Sequence, residues 1–532
     1  MVIITFLNLI CWIGGQLLEG IALGRWELLL KDMGFSAMHM TLTHVDTVII
    51  FDQTQQGCPA KELGNPRPNG CWTHSAEYNI AENAVRSLHF STDTFCSSGS
   101  FMSNGTLVQT GGSHNGEKIV RYFSPCSDST CDWLESKTEL FSRRWYSSNQ
   151  ILPDGRAIVV GGRRSFNYEF IPKNPSDSRA FNLPFLVKTN VVGEENNLYP
   201  FLCLAPDGNL FIFANNESIL LDYKKDKVVK TFPTMPGGGS RSYPSTASSA
   251  LLPLDSANNF QKFEIIICGG APVGAFKKVR LEKTFVQALS SCGRMEITSE
   301  NPQWQMENMP GPRVMSDMLI LPTGELLIVN GAKNGTAGWL NGREPELQPV
   351  LYNHTEAVGN RFRTLASSTI PRMYHSTAIV LPDGRVLVAG SNPNAKYRLA
   401  GNPFPTEMRM EAYISYYLHP IYDLQKATIT DISTREIEYG SQFIVHFFVL
   451  NLHMENLKFH LYAPPFNTHS MSMNQRMLSL ACTEIVPSFL IGNYYVSLTA
   501  PPTAIVAPSG YYLLTVVNGG IPSKAEWIHF GL

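Results

Sequence analysis

One hairpin recurs along this chain in a fixed register, and that repetition constrains the fold more than any other feature. Three copies read DTFCSSGSFMSNGTLVQTGG (93–112), RRWYSSNQILPDGRAIVVGG (143–162) and RMYHSTAIVLPDGRVLVAGS (372–391). Each is an apolar strand, a turn on Asn-Gly or Asp-Gly, and a second apolar strand ending in Gly. Such dipeptides between apolar runs mark tight hairpins, because Gly accepts positive φ. YPFLCLAPDGNLFIFAN (199–215) and RVMSDMLILPTGELLIVNG (313–331) keep the register. MHMTLTHVDTVIIFD (38–52) and RSYPSTASSALLPL with FEIIICGG (241–270) are looser copies. Seven units at intervals of about 45–70 residues predict a β-propeller, in which each unit is a small sheet and the innermost strands line a central channel.

The register has a chemical consequence. Eight positions before the turn residues Asn104, Asp154 and Asp383 stand Cys96, Tyr146 and His375, with Tyr374 beside the last. Equivalent positions of a radial repeat lie at one depth around one axis. A thiol, two phenols and an imidazole then converge, which is the raw material of a redox-active metal site. Tyr199 and Met315 occupy the same position in two further units.

After about residue 405 the repeats stop. Residues 408–532 carry short strands of another kind, SQFIVHFFVL, LKFHLYAPP, NYYVSLTAPP and GYYLLTVVNG, spaced as in a β-sandwich. One polar insertion, NTHSMSMNQRM (467–477), interrupts them and holds His469. A hairpin this polar between apolar strands is explained if it reaches into the propeller channel. The net charge of −2 and the lack of any basic run exclude a nucleic-acid partner.

Residues 1–24, apolar with one acidic residue, read as a secretory signal peptide, although no Lys or Arg precedes the apolar run. The alternative is a buried first strand. No later segment is long and apolar enough to span a bilayer. Secretion to the extracellular space, the apoplast or cell wall, makes four Asn-x-Ser/Thr triplets available for glycosylation, at Asn104, Asn216, Asn334 and Asn353, of which Asn104 and Asn334 fall at or near predicted turns. The chain has ten cysteines, and Cys11 leaves with the signal. Cys126 with Cys131, Cys58 with Cys71, and Cys268 with Cys292 are candidate disulfides. Cys203 and Cys482 lie on apolar runs and read as buried thiols. Cys96, among Ser and Gly, is the odd one and asks for a special role.

The series DTFC, RRWYSSNQILPDGR, GGRRSFNYEF, NNLYPF, SYPST, RMYHSTAIVLPDGRVLVAGSNPN and THSMSMNQR resembles the glyoxal oxidase and galactose oxidase group of copper-radical oxidases, closest to the plant glyoxal-oxidase-like branch. The likeness runs from about Gly24 to the end. It implies an all-β chain: a seven-bladed kelch-type propeller over residues 25–407, then an immunoglobulin-like (E-set) sandwich over 408–532. It further implies one copper per chain held by Tyr146, Tyr374, His375 and His469. In this implied site Cys96 is joined by a thioether to the Tyr146 ring, which carries a radical, and Tyr374 is the catalytic base. The implied partners are a small aldehyde and O2, with H2O2 as product. Nothing in the sequence sets the oligomeric state, and a monomer is the expectation.

The residue types suit that chemistry. Copper(II) favours tetragonal N and O donors. A phenol with pKa about 10 ionises more readily beside a cation. A sulfur substituent spreads an unpaired electron over a larger π-system. Other histidines, His74, His89, His114 and His354, have no ligand-like spacing and read as surface or turn residues. The pairs Arg143-Arg144 and Arg163-Arg164 read as packing and ion-pair residues, with a channel-mouth role in orienting an anionic product as the alternative. Competing functions are an alcohol- or sugar-directed oxidase of the same kind, and a secreted kelch-type binding module without chemistry. The presence of all five site residues favours the enzyme.

Overall fold

The computed structural model describes residues 20–53, 75–136, 139–177, 179–401 and 403–531. The repeated hairpins form, and each extends into a sheet. Among the described residues, seven four-stranded antiparallel units start from the strands His39–Leu42, Ser98–Phe101, Ser147–Ile151, Phe201–Leu204, Ser248–Leu251, Asp317–Ile320 and Ser376–Val380. These first strands are almost wholly buried and pack side by side over much of the circuit. The last unit is completed from the other end of the chain: Arg25–Leu30 pairs with Met410–Ile414, Arg25 opposite Ile414. The expected boundary after residue 407 therefore falls before a strand that belongs to this sheet.

Beyond it stand two sheets of a sandwich. One orders Thr428–Ile432, Gln442–Phe448, Asn493–Thr499 and Val486–Pro487; the other is built on Leu457–Ala463, Gly510–Asn518 and Glu526–Phe530. Gln442–Phe448 alternates exposed and buried residues, as a strand with one wet face must. Two links tie the sandwich to the repeats. Leu254–Asp255 adds in parallel to Arg476–Ser479. The hairpin of Phe466–Thr468 and Met471–Met473 pairs with His39–Leu42.

That hairpin explains the polar insertion. Inner strands of a radial fold leave backbone groups facing the channel, and an unpaired buried peptide group is costly. The hairpin's side chains pair them. Asn467 Nδ2 donates to the Ala378 carbonyl at 2.6 Å, Ser472 Oγ to that of Met318 at 3.0 Å, Asn474 Oδ1 accepts from Ile151 N at 2.7 Å and Gln475 Oε1 from Ile320 N at 2.9 Å.

A second regularity is a set of buried arginines. Arg144 donates to the Gly161 carbonyl at 2.6 Å, Arg313 to that of Asn330 at 2.8 Å, Arg372 to that of Gly390 at 2.9 Å, and Arg121 to that of Gly111 at 2.7 Å. Arg241 binds the Gly269 carbonyl likewise. Each acceptor closes, or directly follows, the second strand of its hairpin. Arg144, Arg241, Arg313 and Arg372 thus fix the segment leading into a first strand to the end of the second, whereas Arg121 reaches from the third strand, Val120–Phe123. Arg144 also forks onto Glu169 Oε1 at 2.9 and 2.8 Å, both side chains fully buried. The two arginine pairs resolve unequally: Arg144 is structural, Arg143 and Arg164 are exposed, and Arg163 is half-buried against Glu195 at 2.6 Å.

Several expectations need adjustment. Residues 1–19, with Cys11, and the pair Cys58 and Cys71, with His74, lie outside the described residues. The end of the expected signal segment is engaged with the fold, since the Leu23 carbonyl accepts from the Tyr413 hydroxyl at 2.8 Å and from Ala366 N at 3.0 Å. The disulfides Cys126–Cys131 and Cys268–Cys292 are formed. Cys482 is exposed and not a core thiol, whereas Cys203 is half-buried and packs against the core. The run around Cys482 reads apolar, yet the residue sits at a strand margin, touching Leu498 through an isolated bridge. Of the triplets, Asn104 is exposed in its turn, Asn216 and Asn353 are half-buried, and Asn334 lies in the strand Ala332–Gly335 rather than in a turn. His89 and His114 are exposed, whereas His354 is half-buried with Nδ1 unpartnered. Among the described residues no helix is long and apolar enough to cross a membrane.

Replacing Arg144 by Met strands the buried Glu169 carboxylate, and a loss of about 3 kcal/mol is expected in a urea melt, at the low end for a broken buried pair because Phe141 N, Ser142 N and Lys173 still face it. The double variant R144M/E169Q should recover part of that loss.

His460 Nδ1 bonds the Pro322 carbonyl at 2.8 Å, across the two parts of the chain. Burial lowers its pKa from 6.5 to about 4. The unfolded chain then takes up the proton first, so this contribution is complete above pH 6.5 and is lost as pH falls toward 4. Metal-free H460Q should show a flatter loss of stability over that window, by up to about 1.4 kcal/mol per pH unit. An unchanged slope would count against this origin.

Candidate metal centre

The register residues share an unusual backbone. Cys96, Tyr146, Tyr199, Thr246, Met315 and His375 have φ of 54, 63, 49, 42, 64 and 62°, all left-handed and none Gly. In that region Cβ crowds the following carbonyl, at roughly 1–2 kcal/mol per residue. Such conformations persist where surroundings impose them, and they gather at functional sites. Here the chain hands hydrogen bonds from unit to unit: Tyr146 N donates to the Cys96 carbonyl at 2.9 Å, Tyr199 N to that of Tyr146 at 3.0 Å, and Met315 N to that of Thr246 at 2.9 Å. Each kink turns a side chain toward the axis just before its strand begins.

The fifth expected residue arrives from the other side. Thr468 pairs with Met471, so His469 and Ser470 form a two-residue turn, with φ of 48 and 69°. Positive φ at both central residues is the requirement of a type I′ turn. His469 is thereby the tip of the hairpin that enters the channel.

The structure brings all five expected site residues together. Cys96 Sγ lies 3.2 Å from His469 Nε2. The His375 and His469 rings are 4.9 Å apart at 79°, and the Tyr374 ring stacks on His375 at 3.7 Å. Ligand atoms of Cys96, His375 and His469 all fall within 4.8 Å of one another. The Tyr146 hydroxyl is 3.2 Å from that of Tyr243, which is 2.8 Å from that of Tyr374. Every one of these side chains is at least nine-tenths buried.

Burial dominates the electrostatics. It pushes the Cys96 thiol and the Tyr146, Tyr199 and Tyr374 phenols well above their ordinary values, with neighbouring acidic groups adding to the shift. Burial likewise holds His375 and His469 well below 6.5. Without a cation the cluster is neutral, its imidazoles unprotonated and ready to act as ligands.

Two observations test whether a metal fits. Both ring nitrogens of His375 are buried without any hydrogen-bond partner, which is costly unless something else binds them. His469 Nδ1 is engaged by Thr468 Oγ1 at 2.6 Å, with the Tyr199 hydroxyl at 3.5 Å, leaving Nε2 facing the cluster. That is the outer support a metal-binding His ordinarily has. Two imidazoles and two phenols make the N and O donor set that suits a tetragonal ion.

Sequence reasoning assigned no role to Tyr243, Tyr199, Trp145 or His39. Tyr199 stood in register and Trp145 adjoins Tyr146, on which it stacks at 4.9 Å and 29°. His39 is buried against Phe51 and bonds Ser97 Oγ at 3.2 Å; its unit is a loose copy, and no spacing marks it. A pocket of about 570 Å³ opens over the cluster, floored by Tyr146, Tyr243 and Tyr374 and walled by Phe95, Trp339 and Arg163 among others. Phe95 stacks on Trp339 at 5.8 Å and 6°, not on Tyr146.

The family model for the glyoxal oxidase N-terminus matches residues 38–417, and that for the galactose oxidase-like early set domain matches 426–530. The chain is 43% identical to aldehyde oxidase GLOX1 of Arabidopsis thaliana, over 95% of this chain and 84% of that one. It is 42% identical to aldehyde oxidase GLOX of Vitis pseudoreticulata, over 95% and 97%. Among solved structures it is similar to a fungal alcohol oxidase of the AA5 family in complex with copper, with TM-score 0.74 and 18% identity over 96% of this chain and all of the other.

The thiols give a direct check on this geometry. Alkylation of metal-free native protein at pH 8 should label Cys482 quickly, whereas Cys96, buried and held protonated, should react only on unfolding. Ready labelling of native Cys96, read by peptide mass, would contradict the arrangement.

Proposed function

This chain belongs to the glyoxal oxidase family, and on that premise we propose that it is a copper-radical oxidase converting small aldehydes, as their hydrates, to carboxylic acids. The observation that carries the reading is the convergence of Cys96, Tyr146, Tyr374, His375 and His469, with both nitrogens of His375 buried and unpartnered. The seven sheets are read as the blades of one propeller and the sandwich as the domain that completes the site.

Tyr146, Tyr374, His375 and His469 would hold one copper per chain. Copper there would supply a Lewis acid for the substrate oxygen and a one-electron redox partner to a protein radical. The Tyr146 ring, bearing the Cys96 sulfur as a thioether, would carry that radical. Tyr374, whose phenol burial and the neighbouring Tyr243 and Cys96 push well above its ordinary value, would become a usable base once a divalent charge favoured its phenolate, and would take the substrate hydroxyl proton. Tyr146 takes the hydrogen atom from the same carbon. The overall exchange balances as RCH(OH)2 + O2 → RCO2H + H2O2, two electrons and two protons passing from the hydrate to oxygen. Phe95, Trp339 and Trp145 line the pocket over this ring.

The two disulfides accord with an extracellular setting, since such bonds persist in oxidising compartments. A monomer meets every requirement of the site, because one chain supplies all its residues.

Copper loading should give near-unit stoichiometry and a Cys96–Tyr146 peptide lighter than the sum of its parts by two hydrogens. Peroxide should then appear from a small aldehyde. Y374F should keep the cross-link and the melt while turnover falls by about 10²–10⁴, the usual worth of a positioned base. Loaded, cross-linked protein that yields peroxide only from alcohols or galactose would redirect the substrate assignment. No peroxide from any of these would favour the binding module.

A further inference from the structure

A hydrated aldehyde differs from an alcohol by a second hydroxyl on the reacting carbon. In a buried site that hydroxyl needs a partner of its own, because an unpaired polar group there forfeits its hydration. Of the polar side chains that line the pocket, several are already engaged, whereas Trp145 Nε1 is buried without a partner. Arg163 is held by Glu195 at 2.6 Å, Glu194 faces Lys277 at 4.0 Å, and Asn341 Nδ2 bonds the Ala337 carbonyl at 3.3 Å. Tyr199 donates away from the pocket, to the Ser97 carbonyl at 2.9 Å.

Tyr243 is different. Its hydroxyl sits between the Tyr146 oxygen at 3.2 Å and the Tyr374 oxygen at 2.8 Å, at the pocket floor, with the side chain 9% exposed against 3% for Tyr374. Among the described residues its hydroxyl is partnered by those two oxygens alone, both of which the proposed reaction reassigns. Its place is rigid: Tyr243 N donates to the Leu198 carbonyl at 3.2 Å, the ring lies 4.5 Å from that of Tyr146, and the buried Arg241 anchors the segment two residues earlier. We propose that Tyr243 is a specificity-determining residue whose hydroxyl hydrogen-bonds the second oxygen of the substrate, selecting hydrated aldehydes over primary alcohols. This rests on the oxidase reading above and adds the group that separates the two substrate classes. The first hydroxyl gives its proton to Tyr374; the second keeps its proton and lies against Tyr243, so that loss of hydrogen from carbon leaves a carboxylic acid with both oxygens already held.

The test uses copper-loaded full-length protein and two compounds that differ only in that hydroxyl, methylglyoxal hydrate and hydroxyacetone. Wild type should favour methylglyoxal in kcat/KM, and Y243F should lower that preference by about ten- to hundredfold, the effect of removing one partner from a buried polar group. A readout independent of turnover is equilibrium titration followed by the copper(II) absorption. Acetate, which presents two oxygens like the hydrate, should bind Y243F about tenfold more weakly than wild type, an effect of one lost hydrogen bond, and azide should be weakened far less. Copper content, cross-link mass and the thermal melt are read for both proteins. Equal losses on both compounds and both anions would overturn the proposal, placing Tyr243 with the radical or the base instead. If Y243F fails to fold, wild type alone decides: a cross-linked enzyme that oxidises both compounds equally well refutes the role of Tyr243 and leaves the oxidase standing. A wild type that takes up no copper refutes the oxidase reading and this inference together.

Discussion

The site depends on buried guanidinium groups reaching main-chain carbonyls. Five arginines, Arg121, Arg144, Arg241, Arg313 and Arg372, each bond the carbonyl that closes or follows a second strand. A guanidinium offers five donors in a rigid plane, so it binds backbone oxygens and a carboxylate at once. Just after Arg144, Arg313 and Arg372 the chain enters the left-handed conformation that aims Tyr146, Met315 and His375 at the axis. Alone, that conformation is disfavoured for such residues; the arginine fixes one side, and for Tyr146 and Met315 a hydrogen bond to the preceding unit fixes the other.

The second requirement is a channel that is filled and satisfied. A ring of strands leaves open backbone edges at its centre, and water would ordinarily serve them. Here a hairpin from the sandwich supplies amide and hydroxyl side chains to those edges, and its tip is His469. Dry surroundings then keep the phenols, the thiol and the imidazoles neutral. One arrangement serves both purposes, sealing the fold and preparing a set of ligands.

Much of this was legible in the chain. Hairpin register is written by Asp-Gly and Asn-Gly turns, and a fixed offset from each turn located Cys96, Tyr146 and His375. His469 was legible because polar residues between apolar strands need a reason. What stayed hidden depends on three-dimensional neighbours. Arg143 and Arg144 are identical letters, yet one is exposed and the other wholly buried on Glu169. Tyr243 sits in a loosely matching unit, so no offset pointed at its hydroxyl. The end of the repeats read as about residue 405 because a long connection separates Met410–Ile414 from its neighbour Val386–Gly390, and its other partner is Arg25–Leu30, at the opposite end of the chain. Cys482 looked interior from its apolar neighbours, but its place at a strand margin put it outside.

Because His469 rides on a hairpin inserted between strands of the sandwich, the proposed ligand set spans two parts of the chain. An ion held on both sides acts as a clasp: its binding free energy adds to whatever resists separation of the two. Every tenfold gain in the affinity of the joined form over the parted one then strengthens the junction by about 1.4 kcal/mol at saturating metal. Conversely, a nascent chain that has not yet reached His469 can hold metal only through the remaining three side chains, so capture at full strength waits for the end of synthesis. The position of one histidine thus makes metal content a report on whether the whole molecule has been assembled.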